Sequence, residues 1–216
     1  MNSKKHVWLN KVLFSNRISK FKSEDFKSYL QDLLLVKNLL IKLLAFIIIG
    51  LIVMGLSFIV RQVFIDNYPD KIIPNPGISF SAFTDASPAV IYLIQAIPCA
   101  LTFSLFLFLN NKWIYMSLLI VFFGGLSNII DRALPLNLII AGGVKFPSDA
   151  VVDYIPLIRT YANLPDIFIS CGAVLAILSL IVYIIQVYRS EKNKPDEIEP
   201  SSTTSDTKSI NHESKN

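Results

Sequence analysis

Four long apolar stretches divide the chain, at about residues 39–60, 90–109, 114–130 and 167–188. Each approaches the roughly 20 residues that a helix needs to cross a bilayer core, and the short third one gains length from its flanks. Inside lipid a backbone must satisfy its own hydrogen bonds, so the pattern predicts four transmembrane helices. Between the first two, "GISFSAF" alternates Ile78, Phe80 and Ala82 with Ser79 and Ser81, the period-2 signature of a strand. Pro74 and Pro76 just before it suit an edge or entry position. The expected fold is an all-α membrane protein with a small β-rich cradle on its outer side.

The hydrophobic fraction of 53% and the mean hydropathy of +0.53 exclude an ordinary soluble domain. The first 42 residues carry nine Lys/Arg against three acids, while the apolar middle is nearly uncharged. With Lys112 in the "NNKW" turn and Arg189, Lys192 and Lys194 after the fourth run, the basic segments fall on one side of a four-span protein. That side is expected to be cytoplasmic, with both termini inside. The aromatics lie in the apolar runs rather than between basic residues, which argues against nucleic acid as a partner. The first run starts too late for a secretory signal peptide and has no small-x-small cleavage site after it, so it is expected to remain as a helix. Lys42, near its start, is expected to snorkel to water.

Three regions follow. Residues 1–38 form a basic cytoplasmic extension, with "SYLQDLLLVKNLL" expected along the inner membrane surface. Residues 39–188 form the four-helix domain, and 189–216, rich in Ser, Thr, Lys and Glu, a disordered tail. Cys99 and Cys171 sit within apolar runs and are expected to be small buried hydrophobes, not a disulfide. His6 and His212 lie in the tails, which removes Ser-His-Asp, Cys-His and H-E-x-x-H chemistry from consideration. No metal site or cofactor is expected.

The informative residues close the third run. In "GGLSNIIDR", Asn128, Asp131 and Arg132 stand at i, i+3 and i+4 and share a helix face, while Gly124 and Gly125 allow another helix to approach. "VVDYI" then supplies Asp153, and "ANLPDIFI" places Asn163 and Asp166 where the fourth helix begins. Asp166 suits a plain helix cap as well as chemistry. Two carboxylates in a partly dry site can share a proton, one acting as base toward water while the other donates to a carbonyl oxygen. Such a site needs no His, Cys or metal. The composition therefore allows an aspartic hydrolase at the outer membrane surface. It equally allows a small four-span transport or scaffold protein whose outer acids bind a cation or partner. A Ser-Lys peptidase would need a desolvated lysine beside an outer serine, and neither Lys71 nor Lys145 has that setting.

At these residues the chain resembles the lipoprotein signal peptidase (signal peptidase II) family, bacterial intramembrane aspartic proteases. "NPGISFS", "GGLSNIIDR" with "VVDYI", and "ANLPDIFI" resemble that family's Asn-x-Gly-x-x-Phe-Ser, Gly-Gly-x-x-Asn-x-x-Asp-Arg with Val-x-Asp-Phe, and Phe-Asn-x-Ala-Asp segments, in the same order. The resemblance implies a catalytic pair at Asp153 and Asp166. It implies substrate and inhibitor contacts at Asn75, Asn128, Arg132 and Asn163, with Asp131, Gly124 and Gly125 as structural support. It further implies a monomeric, multi-pass protein of the bacterial plasma membrane that removes signal peptides from diacylglyceryl-modified prolipoproteins, meets membrane lipids and binds globomycin-type inhibitors. The chain differs from the family near the end of the first helix. An Asp with a Lys four residues later is usual there, and this sequence reads "FIVRQVFID", with Arg61.

Overall fold

A computed structural model of the chain describes residues 28, 31, 35–78, 86–134, 139–140, 144–147, 149–158 and 160–192. Among these, four helices are long and apolar enough to cross a membrane. They are α1 (Val36–Asn67), α2 (Pro88–Phe108), α3 (Lys112–Ala133) and α4 (Leu164–Lys192). Of the expected "GISFSAF" strand only Gly77 and Ile78 are described, Ile78 in a bridge; its remainder, most of the N-terminal extension and the tail after 192 lie outside the described residues.

Helices α1, α3 and α4 run past both ends of their apolar windows, while α2 starts two residues early and stops one residue short. At 32 residues α1 spans about 48 Å, well beyond a hydrocarbon core of about 30 Å, and so carries Arg61 through Asn67 out at the site end. Helix α3 begins on a cap: Asn111 Oδ1 accepts from the N–H groups of Trp113 (3.1 Å) and Ile114 (3.3 Å). It ends three residues beyond the predicted span and so includes Asp131 and Arg132.

Helix α1 is apolar all round, yet only one stripe is buried: Lys42, Ala45, Gly50, Val53 and Ser57. Small residues mark that stripe because close helix packing, not hydrophobicity, distinguishes inside from lipid. A Cβ at Gly50 would lie 2.7 Å from the Phe123 ring of α3. The core there joins Ala45 and Val53 to Phe106, Tyr115, Leu119 and Phe123, with the rings of Phe46 and Phe123 4.8 Å apart. Lys42 does not snorkel. It is buried, donates from Nζ to Leu107 O (2.9 Å) and sits between the rings of Phe106 and Tyr115. The last carbonyls of α2 lack helical partners and carry the negative end of its dipole, so the ammonium finds there what water would have supplied. Cys99 is buried as expected, whereas Cys171 is exposed on α4, where a weakly polar thiol suits lipid as well as core.

Short antiparallel strand pairs cover the site end: β1 (Ile73–Asn75) with β4 (Val151–Asp153), β2 (Ile139–Ile140) with β3 (Val144–Lys145), and β5 (Ile155–Pro156) with β6 (Tyr161–Ala162). The β1–β4 register sets Ile73 opposite Asp153 and Asn75 opposite Val151. Under these strands Ile72, Phe146, Ala150, Val152 and Tyr154 form a second apolar cluster, with Phe64 of α1 stacked on Tyr154 at 4.4 Å. The chain divides into two units, Met1–Leu180 and Ile181–Asn216, and the site belongs to the first.

Candidate active site

The end of α3 presents three side chains to three different neighbours. Asn128 Nδ2 donates to Asp166 Oδ1 on α4 (2.8 Å). Asp131 forms an ion pair with Arg61 of α1, and its Oδ2 accepts the Val152 N–H of β4 (2.9 Å). Arg132 donates from Nε to Gln95 of α2 (3.3 Å) and from Nη1 to the carbonyls of Asn75 (3.3 Å), Pro76 (3.2 Å) and Asp149 (2.6 Å), while Nη2 donates to Gly77 O. The cation adjacent to Asp131 in sequence is thus not its hydrogen-bonding partner. Successive residues point about 100° apart on a helix, so Asp131 and Arg132 face different neighbours.

Asn163 joins the two predicted carboxylates. Its Nδ2 donates to Asp153 Oδ1 and to Asn128 Oδ1, both at 3.0 Å. Its Oδ1 accepts the Asp166 N–H (2.9 Å), and its own N–H reaches Asp166 Oδ2 (3.3 Å). This is the reciprocal geometry of a capping box, with Asn163 as N-cap and Asp166 three residues on. Asp166 therefore serves as a cap and also faces the site. Its second contact, Asn128, is more than a cap requires.

Asp153 is 2% exposed and accepts from Asn75 Nδ2 (2.9 Å) as well as from Asn163. Burial, reinforced by the negative charges of Asp166 and Asp131, pushes its carboxyl up to about 7 against the opposing hydrogen bonds from Asn75 and Asn163. This carboxyl is therefore raised from the ordinary carboxylate range toward neutrality. Tyr154, the next residue, accepts the Leu164 N–H on its hydroxyl (3.1 Å) and is pushed up to about 12, chiefly by burial. It ties the segment carrying Asp153 to the first turn carrying Asp166.

A cleft of about 250 Å³ opens beside this network. Asn75, Asn128, Arg132, Asn163 and Asp166 line its polar end, and Pro98, Cys99, Val121, Gly125 and Ile169 its apolar part. Val121 lies two turns, about 10 Å, below Asn128 on α3, so the cleft runs down the helices from a polar mouth. Gly125 keeps it open against Cys99, whose Sγ would lie 2.6 Å from an added Cβ. Gly124 brings α4 close, with a Cβ there 2.9 Å from Ile169 and 3.0 Å from Pro165 O. The Oδ1 of Asn75 is buried without a hydrogen-bond partner, an acceptor left for something that enters the cleft.

All the predicted site residues thus gather at one end of the helices. Sequence reasoning missed Gln95, Arg61 and Tyr154 as members. Gln95 carried a usable signal, a lone amide inside an apolar span.

The fold and site define a class: a helical membrane protein that holds two carboxylates in a buried amide network at one end of its spans. The family model described as signal peptidase (SPase) II matches residues 51–182, which include every site residue named above, and the chain belongs to that family. It is 36% identical over 134 residues to the lipoprotein signal peptidase of Malacoplasma penetrans (strain HF-2), covering 60% of this chain and 55% of that protein. It is 33% identical over 126 residues to the lipoprotein signal peptidase of Mycoplasmoides gallisepticum, covering 57% and 40%. The matches thus span about half the length of these relatives. A solved bacterial membrane enzyme shares the fold at a TM-score of 0.50 and 17% identity, over 71% of this chain and 94% of that one. The chain is a multi-pass membrane protein.

Proposed function

We propose that this chain is an aspartic endopeptidase that removes the signal peptide from diacylglyceryl-modified bacterial prolipoproteins at the outer face of the plasma membrane. The observation that carries the reading is the bridge made by Asn163, which donates to Asp153 and accepts from Asp166 N–H, so that one side chain holds both acids. Family membership and the lipoprotein signal peptidases among its relatives support the same substrate class.

The chemistry follows from a shared proton. The ionised carboxylate of the pair takes a proton from a water as its oxygen attacks the scissile carbonyl carbon. The protonated carboxyl gives its proton to the carbonyl oxygen, forming a neutral tetrahedral diol. The proton taken from water then passes to the leaving nitrogen as the C–N bond breaks, and the diol returns a proton to the pair. Asp153 and Asp166 act as one titrating unit throughout. Asn75, through its unpartnered Oδ1, accepts a backbone N–H of the substrate, and Asn128 and Asn163 keep the acids aligned. Arg132 holds the Asn75–Gly77 segment against α3 and thus shapes the wall on which the peptide lies. The apolar part of the cleft takes the substrate's membrane-embedded groups. That remote binding contributes to catalysis by fixing the scissile bond at the polar mouth.

Both termini lie in the cytoplasm, the enzyme works as a monomer among membrane lipids, and globomycin-type inhibitors occupy the same cleft. The test is incubation of the purified full chain with one prolipoprotein in lipidated and unlipidated form. Cleavage of the lipidated form just before its modified cysteine, with little or none of the other, is expected. Equal cleavage of both, or of neither, contradicts the proposal.

A further inference from the structure

We propose that Arg61 is a positioning residue for Asp153, acting from α1 through the Asp131 carboxylate and the backbone of β4. The inference rests on the reading of Asp153 as half of the catalytic pair.

Among the described residues strand β4 pairs with β1 on one edge. Opposite Val152 stands Pro74. Alternate residues of a strand turn their N–H groups to opposite edges, and that of Val152 goes to Asp131 Oδ2 (2.9 Å). Val152 is 1% exposed, so this donor has no water to fall back on. Asp131 therefore takes the place of a third strand, one residue before Asp153. A lone carboxylate on the buried α3 end would not stay charged or fixed. Arg61 supplies both conditions, with its Nε on the other oxygen of Asp131 and its side chain only 12% exposed. The order of contact is α1 cation, α3 anion, β4 amide, Asp153.

The same chain governs the field at Asp153. The charged and titratable groups around it are Asp131 and Arg132 from α3, Asp166 from α4 and the adjacent Tyr154, with the Asn75 and Asn163 amides in direct contact. Arg61 offsets part of the Asp131 charge, so this third carboxylate opposes ionisation of Asp153 less than an unpaired one would. Without Arg61, Asp131 has two courses. It stays ionised and opposes ionisation of Asp153, or it takes a proton and loosens its charge-assisted hold on Val152. A bridge that merely fastened α1 to α3 would alter melting without altering the pH dependence of turnover.

The experiment measures kcat, KM, the pH profile and the melting temperature of the full chain with lipidated prolipoprotein, for Arg61→Met, Arg61→Lys and the pair Arg61→Met/Asp131→Asn. Arg61→Met is expected to lower kcat by up to about 10²-fold. Its KM is expected to stay within about twofold. Its upper pH limb is expected to move upward by roughly half a unit to one unit. Arg61→Lys is expected to restore most of kcat and the original limb, and the double variant to be no slower than Arg61→Met. If Arg61→Met does not accumulate folded, the other two decide. A double variant with the wild-type kcat and pH limb at matched folded protein overturns the proposal, as does an Arg61→Met enzyme with unchanged profile. An active Asp153→Asn variant would instead overturn the catalytic reading itself, so the two failures are distinguishable.

Discussion

Asn163 Nδ2 lies 3.0 Å from Asp153 Oδ1, although Asn163 is the N-cap of the helix whose first turn carries the other acid. A residue that caps α4 therefore also sets where Asp153 stands relative to it. Loss of the cap alone destabilises by about 1 kcal/mol. Loss of a donor aimed at a reacting group lowers turnover by about 10²–10³-fold. Asn163→Ala is therefore expected to lower kcat far more than its melting shift explains. Turnover that falls only in step with the folded fraction would reduce Asn163 to a cap.

The raised Asp153 carboxyl has two consequences with opposite readouts. Its folded value of about 7 stands above the unfolded 3.8, so between these limits the folded state binds the proton more tightly. The stability this group contributes is complete below the lower value and is lost as pH rises through the upper one. Thermal melts between pH 5 and 8 are expected to show that loss in the wild type and a smaller one in Asp153→Asn. Turnover is likewise expected to fall as pH rises above about 7, because the shared proton leaves. A rate that climbs through pH 7 to 9 would exclude a proton-sharing pair.

The two adjacent glycines are expected to fail differently. A Cβ at Gly124 meets the Pro165 carbonyl, part of the backbone beside Asp166, at 3.0 Å. A Cβ at Gly125 meets only the tip of Cys99. Overpacking of this kind costs about 1–3 kcal/mol unless a neighbour can yield. Gly125→Ala is expected to regain stability when combined with Cys99→Ala, and Gly124→Ala to lose turnover whatever is done to Ile169. Paired melting and cleavage measurements check both.

Orientation is open to labelling. In a background lacking Cys99 and Cys171, single cysteines at Asn67 and Lys145 are expected to react with an impermeant reagent on intact cells, and those at Lys112 and Ser201 to be protected. The reverse pattern would put both acids in the cytoplasm.

The four spans were readable because lipid leaves a helix few alternatives, and the site residues because polar groups are rare at such depth. The helix ends were less so. Hydropathy follows the hydrocarbon thickness, whereas α1 continues through Arg61 and Asp66, with Arg61 ion-paired to Asp131 and Phe64 stacked on Tyr154. The inward stripe of α1 was hidden because lipid and core both accept Leu and Ile; only Gly50, Ala45 and Ser57 betray it. Partners were hidden most. Sequence adjacency pairs Asp131 with Arg132, and only the packing of α1 on α3 brings Arg61, 70 residues away, to it. Likewise, nothing in "IKLL" indicates that Lys42 ends on the carbonyl of Leu107.

Asp153 and Asp166 are expected to perform the chemistry while Asp131, ion-paired to Arg61, supports them. The most direct measurement is cleavage of lipidated prolipoprotein by Asp153→Asn, Asp166→Asn and Asp131→Asn at matched amounts of folded protein. Each of the first two is expected to lose on the order of 10⁴-fold in turnover while still binding globomycin, because the pair acts as a unit. Asp131→Asn is expected to melt earlier and keep measurable turnover. Substantial activity in either of the first two variants, or an Asp131→Asn enzyme as stable as wild type and as inactive as the others, would contradict the account.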